Sequence, residues 1–155
     1  MNRGKVVIVG AGSVGTSIAY SMVNQCVCDD IVIIDINKDK AYAESLDMMH
    51  AIEFMDTKTL VRQGDYNECK DADVVIISAS SPMPRDSRDR MKFLESNINI
   101  IKSIVTSVMA SGFNGIFLVV SNPFDVMSYY VRKLSGLPKE KVIGSGTTLD
   151  TARLH

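Results

Sequence analysis

Short apolar runs rich in β-branched residues recur along the chain, at residues 6–9, 31–34, 60–61, 74–77, 116–120 and 142–143. Helical spacing fills most of the gaps between them. Val14, Ile18 and Met22 fall on one helix face, and Leu94, Ile98, Ile101, Val105 and Val108 on another. Strands that are apolar on both sides, alternating with amphipathic helices, predict a parallel sheet covered on both faces. Six such strands match a complete doubly wound α/β order assembled from two mononucleotide-binding halves.

The first strand runs straight into a glycine-spaced turn, Gly10-Ala11-Gly12-Ser13-Val14-Gly15, and Asp35 ends the second apolar run twenty residues past Gly15. This is the dinucleotide-binding pattern of a Rossmann fold, in which each glycine has a mechanical task. Gly10 permits the tight turn, Gly12 lets a pyrophosphate approach the backbone, and Gly15 lets helix pack on strand. The helix starting near Ser13 points its free N–H groups and positive dipole end at that pyrophosphate. Asp35 is placed to accept hydrogen bonds from ribose hydroxyls and to repel a 2′-phosphate, which favours NAD over NADP.

At 155 residues the chain fits one domain. Its 46% hydrophobic and 23% charged content is ordinary for a globular protein. A net charge of −1 argues against a nucleic-acid or anionic-membrane surface. No apolar run approaches the roughly eighteen residues of a membrane span, and the amino terminus enters a strand without a secretory signal pattern. Cys26, Cys28 and Cys69 form neither a Cys-x-x-Cys motif nor a second pair, which argues against a disulfide framework or a metal site. Reduced thiols and a cytoplasmic location are the expectation.

Two loops follow strands at the carboxyl edge, where open α/β sheets bind ligands: residues 80–89, with Pro82, Pro84 and several charges, and Ser121-Asn122-Pro123. Thr148 opens a helical pattern that stops at His155, as in a first domain whose continuation is missing.

Several motifs converge on one family. Residues 10–15, Asp35, Asp47-Met48-Met49-His50-Ala51, Ser121-Asn122-Pro123-Phe124-Asp125 and Gly144-Ser145-Gly146-Thr147-Thr148-Leu149-Asp150-Thr151-Ala152-Arg153 resemble the lactate/malate dehydrogenase family, nearer its L-lactate dehydrogenase branch. The resemblance covers the whole chain in order. It implies that residues 1–147 form the NAD-binding domain and that residues 148–155 begin a truncated substrate domain, the family's second, α+β domain being absent. The chemistry it implies is reversible hydride transfer between the nicotinamide of NAD and the C2 carbon of a small 2-keto or 2-hydroxy acid.

On that resemblance Arg153 matches the clamp whose guanidinium fork holds the substrate carboxylate. Asp150, about one helical turn earlier, matches the acid that orients and charges the catalytic histidine. Arg90 matches the mobile-loop arginine that closes on the substrate and polarises its carbonyl. Asn122 matches the residue that helps hold substrate and nicotinamide. Beside Gly10, Gly12, Gly15 and Asp35, the positions of Val14, Lys40, Tyr66, Ser103, Ser121 and Ser145 imply cofactor contacts. A helix-surface arginine, a first-turn acid and an Asn-Pro turn, with a cis peptide left open, are the plainer alternatives.

Departures from the family pattern qualify this. The family's proton donor is a histidine in the absent domain, and neither His50 nor His155 replaces it, so the chain alone is expected to be catalytically silent. Bacterial relatives often carry an arginine for a phosphorylated activator where His155 stands, which argues against such activation. The selector position six residues before Arg90 is Pro84, which suits lactate or a bulkier 2-hydroxyisocaproate-type acid. A one-residue shift would present Arg85 and favour malate. A non-catalytic nucleotide-binding module is the rival of a different class. The resemblance also implies a homo-oligomer, dimer or tetramer, of the complete protein. The Met-rich residues 48–55 serve either such an interface or the core.

Overall fold

A computed structural model describes residues 4–82 and 90–153, except the side chains of residues 90, 149 and 150. β-Branched residues in succession favour extended backbone, and each apolar run forms a strand: β1 (Lys5–Val9), β2 (Asp30–Ile34), β3 (Leu60–Gln63), β4 (Val74–Ile77), β5 (Ile116–Val119) and β6 (Val142–Gly144). They pair in the order β3-β2-β1-β4-β5-β6, parallel throughout. This is the doubly wound order that the spacing predicts. Helices α1 (Ser13–Asn24), α2 (Lys38–Ile52), α3 (Arg90–Ala110), α4 (Phe124–Ser135) and α5 (Thr148–Arg153) connect or follow the strands. Parallel strands bring all carboxyl ends to one edge, and the order reverses between β1 and β4.

Side-chain alternation sorts each strand between two cores. Val7, Val9, Val32, Ile34, Val75 and Ile77 pack with Ile101, Val105 and Val108 of α3 and with Met127 and Val131 of α4. Val6, Ile8, Ile31, Ile33 and Ile76 pack with Ala19 and Val23 of α1 and with Ala41, Met48 and Ile52 of α2. The residues of 48–55 therefore contribute mainly to the core, although Phe54 stands 92% exposed.

The α3 stripe faces inward as its spacing predicts. Helix α1 differs. Its buried residues are Gly15, Ala19 and Val23, one position round from the bulkier Val14, Ile18 and Met22. Small side chains let that edge press against β1. Val14 is left half-exposed, and Ile18 and Met22 line an apolar trough with Ile76, Leu118 and Val120.

Charges are gathered near the amino ends of β1 and β2. The Lys5 ammonium donates to Glu68 and Asp71, both at 2.7 Å. Arg62 forks onto both oxygens of Glu68 at 2.8 Å and reaches Asp30 at 3.0 Å. The hydrogen bonds from Arg62, then from Lys5, hold the Glu68 carboxyl at about 2, against an ordinary 4.5. A carboxyl so depressed adds stability that is complete above pH 4.5 and is lost as the pH falls toward 2. Urea denaturation of the unsubstituted protein and E68Q should accordingly show its widest gap in midpoint above pH 4.5 and a gap closing as pH approaches 2. A gap constant with pH would show that the charge of Glu68 does not stabilise the fold.

Candidate functional site

The turn from β1 into α1 is built from hydrogen-sized side chains for three distinct reasons. Gly10 has φ +114°, and a Cβ there would lie 2.7 Å from the backbone nitrogen of Ala79. Its N–H donates to the Ile34 carbonyl at 2.8 Å, fixing the turn against β2. A Cβ on Gly15 would lie 1.9 Å from the Gly10 carbonyl oxygen, so α1 is seated on the turn by direct backbone contact. Gly12 is the opposite case. A Cβ there would meet nothing within 4 Å, and its backbone (φ −79°, ψ 177°) is open to any residue. Space is reserved at Gly12 rather than filled.

Gly12 is also the N-cap of α1, with no side-chain cap and no acid in the first turn. The uncapped N–H groups and the positive helix end suit an anion approaching across the open face of Gly12. Asp35 stands beside the turn. One carboxylate oxygen accepts from the Ala11 N–H at 2.7 Å, the other from the Asn37 N–H at 2.9 Å. A carboxylate has about four acceptor sites, so this pinned group keeps capacity for further donors. Asn37 in turn caps α2 by accepting from the Lys40 N–H at 3.0 Å. Tyr66 is partly buried against the α3-side core. Burial, with contributions from Cys69 and Asp35, pushes its phenol up.

Polar side chains tie the neighbouring strand ends together. The Ser78 hydroxyl, just after β4, lies 3.2 Å from the Val9 carbonyl and 3.1 Å from that of Gly10. The buried Ser121 hydroxyl, after β5, reaches back to the Ile77 and Ala79 carbonyls at 3.2 and 2.8 Å. Ser145 donates its N–H to the Val119 carbonyl at 3.1 Å. Asn97 of α3, 1% exposed, accepts from the Ser81 N–H at 2.7 Å and donates to the Asn122 carbonyl at 3.3 Å. The Asn122–Pro123 peptide is cis.

The structure thus brings Gly10, Gly12, Val14, Gly15 and Asp35 to one turn, with Ser121, Asn122 and Ser145 along the same carboxyl edge. Lys40 lies in the first turn of α2. Ser103 is exposed on α3, roughly 20 Å along the helix from its first residue by the usual rise. Arg153 is exposed in α5. The side chains of Arg90 and Asp150, together with Pro84, Arg85 and His155, lie outside the described residues. Ser78 and Asn97 escape sequence reasoning. For Asn97 a signal exists: it stands one helical turn before Ile101 on an otherwise apolar stripe.

The contrast between the glycines sets an expectation for stability. G15A should cost about 3 kcal/mol in chemical denaturation, since overpacking against backbone has no flexible group to yield. G12A should stay within about 1 kcal/mol. Equal effects would contradict the geometry of the turn.

Comparison with known proteins gives a consistent result. Residues 4–144 match the family described as lactate/malate dehydrogenase, NAD binding domain. The chain is 50% identical over 151 residues to L-lactate dehydrogenase 3 of Bacillus cereus, covering 97% of this chain and 48% of that one. A crystal structure of a lactate dehydrogenase enzyme from a Medee basin deep-sea metagenome library superposes with TM-score 0.93 at 48% identity, over 99% of this chain and 49% of that chain. The minor L-lactate dehydrogenase of Enterococcus mundtii in its ligands-bound form gives 0.92 at 46% identity, over 95% of this chain and 46% of that chain. The chain spans about half the length of the curated relatives it matches.

Proposed function

The chain belongs to the lactate/malate dehydrogenase family, and on that premise we propose that it is the cofactor-binding part of an NAD-dependent L-2-hydroxyacid dehydrogenase of the L-lactate type. The observation that carries this is the reserved space at Gly12 beside a carboxylate already held by the Ala11 and Asn37 N–H groups. NAD, when bound, supplies the hydride acceptor or donor. The protein's part is to bind and orient it. The uncapped start of α1 receives the diphosphate. Asp35 accepts from the adenosine ribose hydroxyls and disfavours a 2′-phosphate. Val14, Lys40, Tyr66, Ser103, Ser121 and Ser145 complete the proposed cofactor contacts.

The substrate is a small 2-keto acid, pyruvate in the direction of reduction. Arg153 binds its carboxylate, Asn122 orients it against the nicotinamide end, and Arg90 polarises the carbonyl where negative charge develops. Asp150 orients the proton-donating histidine. Residues 1–147 form the NAD-binding domain and residues 148–155 begin the substrate domain. The donor belongs to the part of the relatives' length that this chain does not span, so the complete enzyme, a cytoplasmic homo-oligomer, is required for turnover. Among the described residues no helix is long and apolar enough to cross a membrane.

Titration of the chain with NADH, followed by fluorescence, should saturate. D35A should weaken NADH binding roughly 10- to 100-fold while narrowing the preference over NADPH. G12V should keep the melting curve and lose the titration. Absence of saturation at millimolar NADH would overturn the assignment. In the complete enzyme, pyruvate should exceed oxaloacetate in kcat/KM, and the reverse order would place the enzyme on the malate side of the family.

A further inference from the structure

The carboxyl edge of the sheet carries two loops whose spacing no strand pairing fixes. One leaves β4 through Ser81, and the other leaves β5 through Asn122. Parallel pairing between β4 and β5 ends at Ile77 with Val119, and just beyond it the Ser121 hydroxyl reaches the Ala79 carbonyl at 2.8 Å. Asn97 supplies the next tie. Its Oδ1 accepts the Ser81 N–H at 2.7 Å and its Nδ2 donates to the Asn122 carbonyl at 3.3 Å. The side chain is 1% exposed, so water does not compete for either bond. It stands on α3 two helical turns beyond Arg90, the residue with which that helix begins. One amide therefore connects both loops to the helix that Arg90 opens.

We propose that Asn97 is a positioning residue for the nicotinamide and substrate end of the crevice, acting through Asn122. This rests on the dinucleotide-binding function proposed above. An amide is suited to the position because it offers an acceptor to one loop and a donor to the other at any pH, which an ionised carboxylate, a lysine or an aliphatic residue cannot do. Without it, the Ser81 N–H and the Asn122 carbonyl lose their partners in a dry setting, and beyond the Ser121–Ala79 bond the two strand exits lose their shared tie to α3. The adenosine half of the crevice, formed by the β1 turn and Asp35, has its own ties to Ile34 and Ser78 and does not pass through Asn97.

The test separates the two halves by ligand. ADP-ribose carries the adenosine and diphosphate parts of NADH and lacks the nicotinamide. Calorimetric titrations with NADH and with ADP-ribose would be made on the unsubstituted chain, N97A and N97D, each checked by circular dichroism and thermal melting. N97D keeps the acceptor for Ser81 while setting a carboxylate oxygen against the Asn122 carbonyl, and so retains a folding tie that N97A removes. We expect both variants to weaken NADH roughly 5- to 30-fold, with ADP-ribose affinity changed less than about twofold. Should N97A fail to fold, N97D alone decides. Folded variants that bind NADH like the unsubstituted chain, or that weaken both ligands equally, would overturn the proposal. Binding of neither ligand by the unsubstituted chain would overturn the dinucleotide-binding reading itself, and this proposal with it.

Discussion

A Cβ on Gly15 would lie 1.9 Å from the Gly10 carbonyl oxygen, far inside any carbon–oxygen contact distance, and that prohibition governs the geometry around it. Because only hydrogen separates them, α1 lies directly on the turn that leaves β1. The small edge Gly15, Ala19 and Val23 then becomes the buried one, and Val14, Ile18 and Met22 turn aside. The same seating directs the uncapped amino end of α1 across Gly12, where nothing protrudes. Helix position, exposed apolar trough and the open space at Gly12 follow from one contact between backbones.

Around that contact the carboxyl edge is held by side chains that return to the main chain. Ser78 joins the end of β4 to β1, Ser121 joins the end of β5 to β4, and Asn97 spans the loops beyond. Such bonds each contribute about 1 kcal/mol net, but leaving a buried partner unsatisfied costs more. They act as spacers, keeping the strand ends at fixed separation where no ladder continues. Asp35 is held in the same manner by two backbone N–H groups, so its remaining acceptor sites are fixed in place before any donor arrives. Preorganisation of this kind lowers the entropy lost on binding.

Strands and their order were legible because consecutive β-branched residues reveal a sheet buried on both faces. The glycine turn was legible because strand, turn, helix and acid occur at fixed distances. The inward edge of α1 was not. Hydropathy weights Val14, Ile18 and Met22 above Gly15 and Ala19, whereas packing against backbone selects the smallest residues. The partners of Ser78 and Asn97 were hidden for a different reason: Val9 and Ser81 lie 69 and 16 residues away in sequence, and contacts at such range leave little local trace beyond the polar break that Asn97 makes in the α3 stripe. The roles proposed for Arg90, Asn122, Asp150 and Arg153 come from motif resemblance rather than from composition or period.

All six strands run the same way, and this separates two kinds of work across one sheet. The ionic cluster of Lys5, Arg62, Glu68 and Asp30 occupies the amino-terminal side, and the glycine turn occupies the other. Four residues of β1, Val6 to Val9, lie between Lys5 and Gly10, a span of about 16 Å, which exceeds the Debye length of about 8 Å at physiological ionic strength. Charge altered at one rim is therefore largely screened from the other. Heat tolerance and coenzyme affinity can drift independently in such a molecule, each under its own selection, and an engineer can harden one rim while leaving the other unchanged.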